Sequence, residues 1–542
     1  MVSCVGLYDT SFMDQLRPHT AALRCALLAA SIVLVAGCVG GAHNSSASAH
    51  PRARHEHFST QGNANSQPDN DIVAENSRTG TKDWRIHTVA KPHEIEGWAD
   101  RVSVIAGGTV RLYVSTTARS YTISGFRTGW YGGAEAALIY RSQRLRGSVQ
   151  QPSRLDSSTR TVLTGWSSSA TVDTHGWPPG DYLFRLDAET GGQEYIPLTV
   201  RSTSNVGRIV VLNAVTTWQA YNAWGGYDLY NGPGGLADFV HRSRAVSFDR
   251  PYSGDGAGEF IGNELPLVAL AERLGLPVSY ATDIDLHADP ALLRGARALI
   301  SLGHDEYWSS AMRLAATNAR DDGMNIAFLG ANAVFRHIRL AQSRYGDNRL
   351  EICYKRANED PLYHKMNKEV TVDWREPPTS KPESVLTGVY YESNPVTADM
   401  VIVDPENWLF EGLGLRAGAR LPRLVGNEYD RVNPGAPTPR PIEVLSHSPL
   451  VCRGIRSFSD AAYYSTPNGA GVFATGTNLW VASLDPTVPM DPLTQRVVTE
   501  VTTRVLRTFG AGPAGQPHPA RDNLAGLREY AGDPIAARVN LY

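Results

Sequence analysis

Between residues 208 and 330 the chain repeats an arrangement that few folds accept: a short apolar run, a helical stretch, then another short apolar run. Ile209-Val210-Val211-Leu212 is apolar without alternation, as a strand buried on both faces must be. Residues 263–274 (NELPLVALAERL) put apolar side chains on one helical stripe, which Gly275 stops and Pro277 follows. Residues 278–281 read as a second strand ending near Asp283 and Asp285, 298–302 as a third, and 326–330 as a fourth, with a helix from about 309 to 321 between the last two. This alternation predicts a doubly wound parallel α/β sheet of flavodoxin-like order. Ligands of such sheets bind outside the carboxyl ends of the strands. The third strand ends in Gly303 and then sets out His304, Asp305, Glu306, Tyr307 and Trp308 in a row.

Upstream, the period is two. Residues 95–202 hold several short alternating runs, among them 102–105 and 110–114 about Gly107-Gly108, then 121–127, 182–186 and 195–200, with turn residues between. They predict an immunoglobulin-like β-sandwich. Downstream of residue 339 the pattern loosens into β segments and Pro- and Gly-rich stretches, and an amphipathic helix over 494–508 is closed by Gly510. The expected domains are therefore a sandwich over 91–203, an α/β domain with inserted β segments over 204–510, and a tail over 511–542.

Residues 1–38 do not belong to the fold. Arg17, His19 and Arg24 precede the apolar run ALLAASIVLVAG, too short to favour a membrane span and suited to an export signal. Val35-Ala36-Gly37-Cys38 resembles a bacterial lipobox, which makes Cys38 the expected lipidated N-terminus of a cell-membrane lipoprotein; residues 39–90 then form a polar tether. Once Cys4 and Cys25 are removed with the signal and Cys38 carries lipid, Cys353 and Cys452 remain, an even pair in an oxidising compartment that predicts a disulfide. The net charge of -3 shows no polybasic character, so nucleic acid is not an expected partner.

Four strand tips delivered to one edge would gather residues 216–230 (TTWQAYNAWGGYDLY), Asp283 with Asp285, the GHDEYW run and Gly330-Ala331-Asn332. Hydroxyl, amide and carboxylate groups converging on a crevice are the usual content of a binding pocket. A covalent hydrolase would place Ser or Cys on the turn after a central strand; here that turn is Leu302-Gly303-His304, and it carries neither. A metal role for Glu306 and a helix cap by Asp305 are the remaining readings of the row.

The runs WQAYNAWGG, SLGHDEYWS, FLGANAVF, VGNEYDR (425–431) and GVFATGTNLW (471–480) resemble the C-terminal-type domain of the N,N-dimethylformamidase large (beta) subunit family, over about residues 92–510. The resemblance implies an amidotransferase-like α/β domain beside a β-sandwich. It also implies a mononuclear Fe(III) held by two tyrosinates and a glutamate, which hydrolyses a small dialkyl amide. The glutamate maps onto Glu306, one tyrosine onto Tyr221, and the other is assigned to Tyr182 in Pro-Pro-Gly-Asp-Tyr182. His304, Asn332 and Glu428 take the surrounding catalytic positions: His304 or Glu428 to carry a proton to the leaving amine, Asn332 to donate to a developing oxyanion. The expectation is an envelope-anchored, metal-dependent amidohydrolase of a non-peptide C–N bond, its substrate a small amide or an envelope-derived one. The alternative is a non-catalytic lipid-anchored protein that binds an envelope carbohydrate or other ligand through the aromatic loop around Trp218, Trp224 and Tyr230. A homo-oligomer and a small-subunit partner are left open.

Overall fold

The computed structural model describes residues 71–235 and 238–527. The expected signal, the expected lipobox at Cys38 and most of the expected tether fall outside the described residues. Among those described, no helix is long and apolar enough to cross a membrane.

The strands form several sheets. Two of them make the N-terminal part: a three-stranded sheet of Ile95–Ala99, Thr109–Thr116 and Ala170–Asp173, and a larger one built on Ser103–Ile105, Gln193–Arg201, Gly180–Ala188, Ser120–Thr128 and Ala136–Arg141. Inward-facing residues of both, among them Ile95, Val110, Leu112, Ile123, Phe184, Ile196 and Leu198, share one core. The period-two alternation of the sequence is the pleat presenting every second side chain to that core.

The central sheet has seven strands in the order Val278–Thr282, Ile209–Asn213, Ala298–Gly303, Asn325–Gly330, Gly471–Ala474, Ile455–Ser465 and Ile442–Cys452. The first five run parallel and the last two antiparallel. Ile209 and Val211 enter one core and Val210 and Leu212 the other, which is why the run carries no polar alternation. The helix Leu265–Arg273 and the long helix Pro492–Ala511 feed the first core, and Ser310–Asp321 feeds the second.

This corrects the doubly wound, flavodoxin-like expectation. The chain is mostly β, with 35% strand against 20% helix, spread over several sheets. The sequence alternation that suggested helical layers covers only residues 208–330. Even there, two of the helices, Val215–Ala220 and Asp283–Ala288, are six residues long. Between Gly330 and Gly471 the chain instead lays down antiparallel ribbons, Tyr390–Val401 with Arg420–Arg431 and Ile442–Cys452 with Ile455–Ser465, and a four-stranded sheet that takes in Tyr307–Ser309 and Arg336–Ser343.

The expected disulfide is also absent. Cys353 and Cys452 are buried free thiols, and they sit in different apolar clusters.

At the carboxyl ends of the parallel strands two glycines are paired in register, Gly303 with Gly330. A Cβ on Gly330 would stand 1.7 Å from the Gly303 carbonyl oxygen, and one on Gly303 would stand 2.6 Å from the Asn263 carbonyl oxygen at a φ of +53°. Side chains there would force apart the strand ends that deliver His304 and Asn332.

The N-terminal sheets meet the central one along a polar seam. Asp181 is buried there, its Oδ1 accepting from Thr199 Oγ1 (2.8 Å) and Asn213 Nδ2 (2.5 Å). Burial outweighs both hydrogen bonds and pushes its pKa up to about 7. Because the folded value lies above the unfolded one, the folded chain holds an extra proton between roughly pH 4 and 7. The associated stability is fully present below that window and is lost as pH rises through about 7. Asp181→Asn is therefore expected to gain stability over the native chain at pH 8 and little at pH 4, measured as urea midpoints; equal differences at both would remove this account of the seam.

Candidate functional site

Glu306 sits where the loop leaving Ala298–Gly303 turns into the short strand Tyr307–Ser309. Its backbone is held on both sides: the N–H donates to Thr217 Oγ1 (3.0 Å), and the carbonyl accepts from the N–H groups of Phe335 (3.0 Å) and Arg336 (2.8 Å). The side chain is buried, and two phenols close on it. Tyr221, at the C-terminal end of the helix Val215–Ala220, donates to Glu306 Oε2 at 2.7 Å. The Tyr230 hydroxyl lies 2.8 Å from Oε1 and 3.0 Å from Oε2, and 3.0 Å from the Tyr221 hydroxyl. The two rings stack at 4.7 Å. Tyr230 is aimed by a turn on Asp228, whose carboxylate accepts from the backbone N–H groups of Tyr230 and Asn231, both at 2.7 Å.

Cations surround this oxygen cluster. Arg336 Nε donates to Glu306 Oε1 (3.1 Å), and its guanidinium also pairs with Asp373. Lys355 Nζ stands 3.3 Å from the centroid of the Tyr230 ring and donates to the Tyr307 hydroxyl at 2.5 Å. His304 Nε2 lies 3.3 Å from Glu428 Oε2 and 3.5 Å from Glu306 Oε2. Glu428 is steadied by Asn394, whose Nδ2 donates to its Oε1 at 3.0 Å.

The electrostatics follow. Burial opposes charge on Glu306, yet Lys355, Arg336 and His304 hold its pKa below the ordinary carboxylate value. Burial also opposes protonation of His304, but Glu428 and then Glu306 outweigh it and raise the pKa to about 9. Burial, with Arg336 beside it, pushes Lys355 down to about 7 against the pull of Glu306. Both phenols go the other way: burial and the Glu306 charge raise Tyr221 and Tyr230 well above 10. As phenolates they would need a further positive charge at the three oxygens.

Of the residues expected from the sequence, the structure brings Tyr221, Glu306, His304 and Glu428 together. Asn332 lies just past the end of Asn325–Gly330 at a φ of 60°, its N–H donating to Asp430 Oδ1 (2.8 Å) and its side-chain oxygen buried without a partner. Tyr182 is not in the site. It lies in the sandwich core, stacked on Trp177 at 5.0 Å, and its hydroxyl donates to the Pro178 carbonyl at 2.6 Å. The second phenol is Tyr230. Asp305 does not cap the following helix; Ser309 does, accepting from Met312 N (3.3 Å), while Asp305 accepts from Ser301 Oγ and the Trp308 indole. The aromatic loop is not an open platform either, since the indole of buried Trp218 donates to Glu264 and that of Trp224 to Glu96.

Arg336 and Lys355 went unread in the sequence. Neither has a motif, and only the pairing of Arg336–Ser343 alongside Tyr307–Ser309 brings Arg336 to Glu306. Tyr230 was in view as an aromatic, and the Asp228 turn before it is the local signal that its chain folds back.

The site is thus a glutamate buried under two phenols on a β-rich scaffold, with a histidine–carboxylate pair alongside. Residues 122–493 match the family model described as N,N-dimethylformamidase beta subunit-like, C-terminal. That match covers more than half of the chain, which belongs to this dimethylformamidase-like hydrolase family. No curated protein matches significantly. Among solved structures, an uncharacterized protein from Bacillus anthracis str. Ames aligns at 11% identity over 23% of this chain and 95% of its own, with a TM-score of 0.15, a likeness too slight to carry any argument.

Proposed function

We propose that the protein hydrolyses a non-peptide amide C–N bond with the help of one hard metal ion, Fe(III) by family resemblance, held by Tyr221, Tyr230 and Glu306. The observation that supports this most is the convergence of three oxygen-bearing side chains to within hydrogen-bonding distance of one another. The donor set fits: two phenolates and a carboxylate carry three negative charges, matching a trivalent hard cation. Among the described residues no three His, Cys, Asp or Glu side chains cluster to hold an ion, so a cation here would lean on the phenolate oxygens. When bound, the ion would supply Lewis acidity toward an amide carbonyl and a water.

The chain's own residues do the rest. Arg336 fixes one oxygen of Glu306 and so its orientation. His304, kept protonated by Glu428, is the donor for the leaving amine, and the proton released by the attacking water returns to the His304–Glu428 pair, whose Nε2 and Oε2 lie 3.3 Å apart. Asn332, its backbone N–H committed to Asp430, would donate to the developing oxyanion from its side-chain Nδ2. The substrate is a small amide or an envelope-derived one, and the N-terminal segment exports the protein and anchors it through Cys38, which acyl labelling of that residue tests.

Ferric–phenolate pairs absorb visible light. Protein from iron-replete cells is expected to be coloured and to carry about one iron per chain by mass spectrometry, the stoichiometry of the Tyr221–Tyr230–Glu306 cluster. Colourless, iron-free protein that still cleaves amides would sink the metal part of the proposal.

A further inference from the structure

Glu428 serves His304 through one particular oxygen: Oε2 lies 3.3 Å from His304 Nε2, while Oε1 accepts from Asn394 Nδ2 at 3.0 Å. Asn394 stands on the ribbon strand Tyr390–Val401 at a break in register. Ser393 pairs with Tyr429 and Val396 with Asn427, so Asn394 and Pro395 together oppose the single residue Glu428. A bulge of this kind re-aims a side chain. The two ends of the re-aimed amide differ, and only the nitrogen end suits a carboxylate. Nδ2 also donates to the Tyr391 hydroxyl at 2.8 Å, while Oδ1 accepts from Arg453 Nη2 at 3.3 Å. Arg453 Nε donates in addition to the Asn394 carbonyl at 2.6 Å. Flipping the amide would set its oxygen against Glu428 Oε1, acceptor facing acceptor.

Arg453 reaches this amide from an exposed turn. With Gly454 it joins Ile442–Cys452 to Ile455–Ser465, and Cys452 pairs with Ile455 across the turn. Both turn residues have positive φ, 51° at Arg453 and 76° at Gly454, as a type I′ turn requires. Asn or Gly holds the first of these positions at less cost than a long side chain does. Strain of this sort persists where the surroundings over-determine it, and it gathers at functional sites. We propose that Arg453 and Asn394 are positioning residues for the pair that handles the proton: Arg453 fixes which way the Asn394 amide points, and the amide holds Glu428 with Oε2 toward His304. This rests on the reading of His304 and Glu428 as the groups that serve the leaving amine. The line of contacts runs from a surface turn, through one amide, to a buried carboxylate.

The test compares the native chain with Arg453→Asn, Asn394→Asp and Asn394→Ala by crystal structure, urea midpoint, iron content and steady-state kinetics on N,N-dimethylformamide. Asparagine suits the positive φ, so Arg453→Asn is expected to match or exceed the native urea midpoint while kcat falls about tenfold and KM is kept. An arginine that served the turn alone would not separate stability from kcat. Asn394→Asp keeps an acceptor for Arg453 and the shape of the side chain but turns an oxygen toward Glu428; Asn394→Ala removes the donor altogether. Both are expected to carry Glu428 Oε2 out of hydrogen-bonding reach of His304 Nε2 in the crystal. Their kcat is expected to fall by about tenfold to 100-fold, the cost of displacing a catalytic group by about 1 Å. Iron content should stay native in all three. Glu428 keeping its native position in both Asn394 variants, or an unchanged kcat in Arg453→Asn, overturns the proposal. An inactive or iron-free native chain counts instead against the hydrolase reading, and the position of Glu428 in the variants then still decides whether Asn394 and Arg453 orient it.

Discussion

Replacing Glu306 by glutamine is expected to remove bound iron, the visible band and all but a trace of activity, while the chain stays folded. Glutamine keeps the shape of the side chain, but its single oxygen can replace only one of the two acceptors, Oε1 facing Arg336 or Oε2 facing Tyr221. It also loses the charge, the one anion among Arg336, Lys355 and His304 that also borders both phenols. Without it the oxygen cluster has one fewer ligand charge, and the cations are left facing a neutral amide. Outer-shell partners of metal sites typically cost about 10–100-fold when removed, so a loss in kcat/KM beyond roughly 100-fold is the signature of a direct ligand. Tyr182→Phe is the matched control: the hydrogen bond it breaks is to Pro178, and the expected cost is about 1 kcal/mol of stability with iron and activity unchanged. Tyr230→Phe should behave like Glu306→Gln. If Tyr230→Phe keeps iron and colour while Tyr182→Phe loses them, the assignment made from the geometry is wrong and the one made from the sequence is right.

That contrast also shows what the sequence could carry. Glu306 was legible because an apolar run ending in Gly303 and followed by charged residues marks a strand tip whatever the rest of the chain does. His304 comes with it. Tyr230 was not, because its position depends on the eight residues 222–229 returning the chain over Tyr221, and the Asp228 turn that drives the return looks like any other surface turn. Tyr182 was placed by a local motif at the start of a strand, and a strand start does not say which sheet it joins or which way its phenol faces. The fold followed the same rule. The parallel strands between 209 and 330 were readable as continuous apolar runs, since each is buried on both faces. The ribbons between 336 and 465 pair residues whose partners depend on register, and their dominance over helix was invisible to a period measured one window at a time. The paired-cysteine expectation failed likewise: parity says nothing about whether Cys353 and Cys452 meet.

The largest stability effect is expected at the seam, from Arg127→Met. Arg127 lies on the sandwich strand Ser120–Thr128 and Glu272 on the helix Leu265–Arg273, and both side chains are fully buried. Their two contacts, Nη2 to Oε1 at 2.6 Å and Nη1 to Oε2 at 3.1 Å, form a bidentate pair, and Arg127 also donates to the Pro179 carbonyl from Nε and Nη2. Glu272 is further bound by the Tyr280 hydroxyl at 2.5 Å, and Gly129 leaves the room it needs, since a Cβ there would stand 2.0 Å from Oε2. Methionine fills much of the arginine's volume, so the loss is electrostatic. It strands a carboxylate that Tyr280 and Asn76 alone cannot satisfy, and breaking one side of a buried pair costs about 3–5 kcal/mol. Glu272→Gln, which keeps the hydrogen-bonding shape without the charge, should cost less. The double change Arg127→Met with Glu272→Gln should fall below the sum of the two, because the stranded charge is then gone. Urea midpoints of the four chains decide it: strict additivity would mean that the pair contributes packing alone and that the two layers are held together by their apolar contacts.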